Sequence, residues 1–170
     1  MRVGIIAPSK MDYLLEINKN AALIIEDVVK TLKGYEIYLV SDKGSVSELF
    51  AKKYNEFGGK NMNILVPSED KEFGFEWINQ EVGKNVNCGT WRNQPENLNE
   101  RTDVLVCLGY SAGGLAEIAY SKWFKPNKNE KKPIYIINEL ISGKLPKELE
   151  KNLDLRYIRY DHLRIENGKR

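Results

Sequence analysis

Short, wholly apolar runs alternate along this chain with segments whose apolar residues recur every three or four positions. The first run is VGIIA at residues 3–7, and Leu14, Ile17 and Ala21 follow it at helical spacing in a pattern that continues to Gly34. Apolar runs of this length are typical of strands buried on both faces, and helices between them provide the crossovers of a parallel sheet. The alternation therefore predicts an α/β fold, a Rossmann-like, doubly wound and mostly parallel sheet with helices on both faces.

The same pattern gives approximate bounds for each element. It predicts strands at residues 3–7, 36–41, 63–66, 85–88, 103–109, 133–138 and 155–160. It predicts helices from near residue 10 to Gly34, at 45–57, ending at 97–102, at 113–124 and, briefly, at 146–152. Ser9 and Asp12 resemble a capping box at the start of the first helix. Residues 1–165 are expected to form one domain, and 166–170 a fraying tail.

Residues 68–83 do not fit the alternation, because a connection of this length is unusual in a compact domain. The segment carries Phe73, Phe75, Trp77 and Ile78, which provide enough apolar surface to dock on the rest of the protein. We expect either a lid or a surface insertion with a short helix of its own.

Charge and cysteine content exclude several classes of function. The chain has 26 Lys and Arg against 24 Asp and Glu, an excess too small for a dedicated nucleic-acid binder. No apolar run approaches the roughly 20 residues of a membrane span, so we expect a soluble, cytoplasmic protein without a membrane partner. Cys88 and Cys107 lack a CxxC neighbour and His162 is the only histidine, so we expect no disulfide, metal or resident cofactor.

Ligands of open α/β sheets bind beyond the carboxyl ends of the strands, where helix N-termini direct free N–H groups outward. This rule selects the loops at residues 8–10, 42–45, 89–93 and 110–114. In the last of these, a buried strand runs into GYSAGG and then a helix that carries Glu117 in or just beyond its first turn. Small residues allow the backbone to approach a phosphate closely. The alternative is that the glycines only ease a tight turn.

Three segments in this order resemble the Lonely Guy family of Rossmann proteins, formerly labelled lysine-decarboxylase-like. The segment GYSAGGLAEIA at 109–119 is similar to the family's GG-x-GT-x-x-E-I motif, and WRN at 91–93 to the Arg-Asn that precedes it. The segment VSDKGSVSE at 40–48 lies where the family has an earlier glycine loop. The chain departs from the family at Tyr110 and Ser111, which replace two glycines, at Gly114, which replaces Thr, and at 41–43.

The resemblance implies binding of a nucleotide or another phosphorylated small molecule, such as a phosphosugar, and its members include molybdenum cofactor carriers. It also implies a homodimer or higher homo-oligomer, for which residues 116–124 could provide the contact. In the family's phosphoribohydrolases, which cleave the N-glycosidic bond of a nucleoside 5′-monophosphate, Glu117 and Arg92 would be catalytic. The ligand-binding residues would be Gly109, Tyr110, Ser111, Gly113, Gly114, Gly44, Ser45, Ser9 and Lys10.

Because of the departures, we favour a nucleotide-binding relative over an active hydrolase, and a non-enzymatic interaction module is a further alternative. Two other enzyme classes fit less well. Asp42 could bind the ribose of a dinucleotide, but residues 7–10 lack the glycines of that fingerprint. Ser111 could be a hydrolase nucleophile in GYSAG, with His162 and either Asp154 or Asp161 completing a triad.

Overall fold

Seven parallel strands form one sheet in the computed structural model, which describes residues 1–126 and 129–165. The strands are β1 (Arg2–Ile6), β2 (Glu36–Leu39), β3 (Met62–Val66), β4 (Lys84–Asn87), β5 (Val104–Cys107), β6 (Pro133–Ile137) and β7 (Asp154–Ile158). Their order across the sheet is β4-β3-β2-β1-β5-β6-β7, and each adjacent pair is parallel. The predicted α/β, doubly wound fold is confirmed.

Helices cover both faces of the sheet. They are α1 (Met11–Ile17), α2 (Ala21–Leu32), α3 (Val46–Glu56), α4 (Gln94–Arg101) and α5 (Ala112–Tyr120). Helices α2 and α3 pack in one apolar cluster through residues such as Val28 and Phe50. Helices α4 and α5 contribute Leu98 and Ile118 to a second cluster on the opposite face. The sheet is therefore buried between two helical layers, as its apolar strands require.

The single helix predicted from near residue 10 to Gly34 is wrong, because the chain forms two helices there. The break lies at Asn18, whose side chain accepts a hydrogen bond from the Asn20 backbone N–H at 2.9 Å. Such a bond offers the backbone an alternative to the helical ladder. The capping box is also wrong, since Lys10 is the N-terminal cap of α1 and has no side-chain capping bond.

The segment 68–83 runs from the carboxyl end of β3 to the amino end of β4, and the backbone of Trp77 and Asn79 bonds to the loop after β2 on the way. Asp70 holds one end, where its carboxylate accepts hydrogen bonds from the backbone N–H groups of Phe73 and Trp91. The indole rings of Trp77 and Trp91 are stacked with centroids 5.7 Å apart. The segment ends in a short 3₁₀ helix, Gln80–Val82, as expected for the second alternative, a surface insertion with a short helix of its own.

The other predicted elements lie within a few residues of the observed ones. The helix expected to end at 97–102 is α4, which ends at Arg101. The helix expected at 113–124 is α5, followed by a 3₁₀ turn at Ser121–Trp123, and the one expected at 146–152 is a 3₁₀ helix, Lys147–Lys151. The tail at 166–170 lies outside the described residues. In the part of the chain that is described, no helix is long and apolar enough to cross a bilayer.

The two outer strands differ in their exposure. Strand β4, with the sequence KNVN, is exposed at three of its four residues. Strand β7 is half-buried along its length, and its Arg156 forms an ion pair with Asp154 at 2.8 Å. The apolar strands are thus central, and polar side chains are placed at the edges.

We expect Tyr54→Phe to lower the free energy of unfolding by about 1–2 kcal/mol. Tyr54 is fully buried, and its hydroxyl donates to the Tyr35 carbonyl at 2.7 Å and accepts from the Asn61 N–H at 3.2 Å. The substitution leaves both backbone groups without this partner. Urea denaturation measures the change, and Tyr13→Phe on the exposed side of α1 is the control. Equal stability of the two variants would contradict the prediction.

Candidate functional site

The strand order reverses between β1 and β5, since the chain proceeds from β1 towards β4 and from β5 towards β7. In open α/β sheets a crevice for ligands forms at this switch point. The loops that follow β1 and β5 meet there. A Cβ atom on Gly109 would lie 2.7 Å from Leu14 Cδ2 and 3.2 Å from Pro8 Cδ. The two loops are therefore packed against each other rather than separated by a wide opening.

The predicted glycines of this loop have different roles. Gly109 has a φ of +139° and is crowded by its own chain, so it serves the turn. A Cβ on Gly114 would lie 2.8 Å from Ile6 Cγ2, so this glycine allows α5 to approach β1 closely. A Cβ on Gly113 would meet nothing within 4 Å. Of the three, only Gly113 borders open space.

Ser111 is the N-terminal cap of α5. Its hydroxyl accepts a hydrogen bond from the Gly114 backbone N–H at 3.0 Å, so this amide is already satisfied. Among the described residues, the N–H groups of Ala112 and Gly113 have no hydrogen-bond partner. The helix therefore directs two amides and the positive end of its dipole towards the open space above Gly113.

Glu117 lies in the second turn of α5 and is 9% exposed. Its Oε1 accepts a hydrogen bond at 2.7 Å from the Nε2 of Gln94, which is also buried. Burial raises the pKa of Glu117 to about 7; the bond from Gln94 opposes this rise, and the charge of Asp42 adds to it. A carboxyl group that titrates near neutral pH can accept or donate a proton under physiological conditions.

The loop after β2 brings a second set of acids to the same edge. Asp42 has a buried Oδ1 without a hydrogen-bond partner, and burial raises the pKa of its carboxyl group. Glu48 accepts hydrogen bonds from the Gly44 N–H at 2.8 Å and from the Asn79 side chain at 2.7 Å. Ser45 caps α3 by accepting from the Glu48 N–H. Gly44 and Ser45 thus make bonds within their own loop.

Of the four other predicted residues, three lie at the surface and Tyr110 is half-buried. Arg92 forms an ion pair with Glu72 at 3.1 Å, and both side chains are mostly exposed. Ser9 and Lys10 are exposed in the loop after β1. The ring of Tyr110 packs on the second apolar cluster, and its hydroxyl is buried.

The serine hydrolase alternative finds no support in the contacts. The hydroxyl of Ser111 is occupied as a helix cap. Asp154 and Asp161, the acids proposed for a triad, form ion pairs with Arg156 and Arg159 instead.

Among the described residues, no group of three or more His, Cys, Asp and Glu side chains could hold a metal ion.

Two clefts of about 420 and 250 Å³ open at the other end of the sheet. They share Lys131, which precedes the amino end of β6. Their surroundings contain lysines and one exposed tryptophan, Trp123, but none of the buried acids. The candidate site therefore remains at the carboxyl edge, where Glu117 and the open helix end lie together.

Sequence reasoning missed the polar residues that surround Glu117 and Glu48. Gln94 and Asn99 reach Glu117 from α4, and Asn79 reaches Glu48 from the segment 68–83. Gln94 and Asn99 are five positions apart, and both follow the strand predicted at 85–88. This spacing was one available signal. That spacing alone does not specify a buried partner.

No protein-family model and no curated protein sequence matches this chain. Solved structures do share its fold. The molybdenum cofactor binding protein of Rippkaea orientalis is 14% identical with a TM-score of 0.65, over 91% of this chain and 87% of that one. The molybdenum cofactor carrier protein of Chlamydomonas reinhardtii is 18% identical with a TM-score of 0.64, over 94% and 91%. At these identities the likeness establishes a shared Rossmann-like fold.

Proposed function

We propose that this chain binds a small phosphorylated organic ligand, of the nucleotide or phosphosugar class, at the N-terminal end of α5, beside the switch point of the sheet. The observation that carries the proposal is the buried Glu117 carboxylate on the same helix as the two unpartnered amides of Ala112 and Gly113. An anionic group of the ligand would lie at the helix end, since helix N-termini bind phosphate through backbone N–H groups. Hydroxyl or amine groups would donate to the carboxylate.

The Lonely Guy resemblance and the fold of the solved relatives both support this proposal. The motif at 109–119 that contains Glu117 carries the resemblance, and the fold likeness extends over nine-tenths of the chain. Two solved proteins of this fold are described as binding or carrying the molybdenum cofactor. That cofactor is therefore one ligand to include in a binding panel beside nucleoside monophosphates.

Hydrolysis of an N-glycosidic bond is the second candidate, and the pKa of Glu117 near 7 favours it. A carboxylate in this range can act as a general base towards water or stabilise positive charge developing on a sugar. The predicted role of Arg92 depends on release of its exposed pair with Glu72. Incubation with nucleoside 5′-monophosphates and chromatography for free base would test this reaction.

We expect Gly113→Asp to abolish ligand-induced thermal stabilisation while the fold remains intact. The new side chain enters open space, and an aspartate in the first turn of a helix is favourable for stability. Its carboxylate would repel the anionic group of the ligand from the two amides. A thermal shift assay with adenosine 5′-monophosphate, ribose 5-phosphate and inorganic phosphate measures the effect, since a ligand at 100 times its Kd adds about 2.7 kcal/mol.

Gly143→Asp is the matched control, because a Cβ on Gly143 also meets nothing within 4 Å. We expect this variant to respond to ligand as the wild-type protein does. If the wild type is stabilised and Gly113→Asp responds equally, the ligand does not bind at the helix end. If no member of a broad panel stabilises the wild type, the interaction-module alternative is favoured.

The homodimer remains a prediction. Leu115, Tyr120 and Trp123 are exposed on α5 and the turn that follows it, so this region offers apolar surface for a second copy. Sedimentation velocity of the full chain and of Trp123→Glu would test it.

A further inference from the structure

Helix α4 directs two buried amide side chains at one residue of α5. Gln94 donates to the Glu117 carboxylate at 2.7 Å, and Asn99 donates to the Glu117 backbone carbonyl at 2.8 Å. Asn99 also donates to the Pro95 carbonyl at 2.9 Å, which keeps its amide aligned along α4. The backbone and the side chain of Glu117 are thus fixed separately by residues five positions apart.

The far end of α4 is held by a buried lysine. The ammonium group of Lys132 donates to the carbonyls of Asn99 and Thr102, and burial lowers its pKa to about 8. These bonds satisfy carbonyl groups at the end of the helix. Helix α4 is therefore anchored at its C-terminal end, and Gln94 stands at its first position.

The surroundings of Glu117 do not otherwise favour a charge. The charge of Asp42, in the loop after β2, raises the pKa of Glu117. Cys107 lies near Glu117 at the end of β5, and burial, with the charge of Glu117 adding to it, raises the pKa of the Cys107 thiol to about 12. No described lysine or arginine forms an ion pair with Glu117. Gln94 is the one described side chain whose hydrogen bond stabilises the ionised carboxylate.

We propose that Gln94 is a positioning residue for Glu117, which holds one carboxylate oxygen by its amide and leaves the other oxygen available to a ligand. Because an ionised carboxylate can only accept, Gln94 presents its NH₂ group to Oε1. No described side chain forms a hydrogen bond with Oε2 of Glu117. The assignment of a ligand to Oε2 rests on the proposed function, whereas the hold on Oε1 does not.

Gln94→Met removes the donor and keeps a side chain of similar length, so it tests the positioning role directly. NMR titration of the protein labelled with ¹³C at the glutamate side-chain carboxyl carbons follows Glu117, assigned with Glu117→Gln. We expect the pKa of Glu117 to rise by about one unit in Gln94→Met, a tenfold change in its proton affinity. In Asp42→Asn we expect it to fall. Gln80→Met, which changes the only other glutamine, is the control.

An unchanged pKa of Glu117 in folded Gln94→Met would overturn the proposal. If that variant does not fold, Gln94→Asn is used instead, because it keeps the amide but is one methylene too short to reach Oε1. The thermal shift panel separates the positioning role of Gln94 from the proposed ligand-binding function. A shifted pKa in Gln94→Met, with no ligand stabilising the wild type, would retain the positioning role and reject the proposed function.

Discussion

Glu117→Gln is expected to raise the free energy of unfolding by about 2–3 kcal/mol at pH 8, with little change at pH 4. In the folded protein the pKa of Glu117 is about 7, against 4.5 for an unperturbed glutamate. Between these values the unfolded chain ionises while the folded protein keeps the proton, so stability falls as the pH rises. This difference between the two pKa values lowers the free energy of unfolding by about 3 kcal/mol above pH 7. Glutamine carries no charge and does not have this cost.

Urea denaturation of the wild type and of Glu117→Gln, at intervals from pH 4 to pH 8, measures the difference between the two stability curves. Acids that do not interact with Glu117 contribute equally to both proteins and cancel. Glu16→Gln on the exposed face of α1 is the control, and its curve should follow that of the wild type. If Glu117→Gln is no more stable than the wild type at pH 8, Glu117 is not a buried charge in the folded state.

Gly114→Thr is expected to lower the free energy of unfolding by about 1–3 kcal/mol, although it introduces the Thr of the Lonely Guy motif that this segment resembles. The new Cβ would lie 2.8 Å from Ile6 Cγ2 and 3.2 Å from Ser111 Oγ, so α5 would have to move away from β1. Gly113→Thr changes the adjacent glycine, whose Cβ position is open. We expect this second variant to stay within about 0.5 kcal/mol of the wild type.

Thermal and urea denaturation of the two variants side by side provide the test. Both substitutions place the same side chain in the first turn of the same helix, so the difference between them isolates the contacts with Ile6 and Ser111. Equal stabilities would mean that α5 can move away from the strand without cost. In that case the absence of Thr at position 114 has no explanation in packing.

The fold was predictable because apolar runs specify the strands with little ambiguity. Residues 3–7 and 103–109 predict β1 and β5 almost at their observed positions, since neither strand faces water. The break at Asn18 was not predictable from apolar spacing. Leu14 and Ala21 keep the helical period across it, while the bond from the Asn20 N–H to the Asn18 side chain interrupts the backbone.

The candidate site was predictable in place but not in detail. The carboxyl-edge rule and the motif at 109–119 lead to Glu117 and to the open space at Gly113. Neighbouring side chains decide the rest, and they come from distant parts of the sequence. Glu48 occupies the Gly44 amide and Gln94 contacts Glu117, and no local pattern specifies either contact.

The buried acid also bears on the binding site proposed at this edge of the sheet. A carboxyl group that lowers the stability of the fold at neutral pH has no packing role that a glutamine could not fill. Stability given up at one residue in this way is typical of binding and catalytic centres. The expected gain in Glu117→Gln is thus a measure of the stability that burial of this charge costs the fold.

The polar character of β4 has a consequence for the protein in concentrated solution. An outer strand presents unpaired backbone groups on which a strand of another molecule can add, a route to fibrous aggregates. Here that strand is four residues long, begins with Lys84 and carries two asparagines, so an incoming chain would gain few bonds and would have to desolvate an ammonium group. The border of the sheet thus discourages uncontrolled polymerisation.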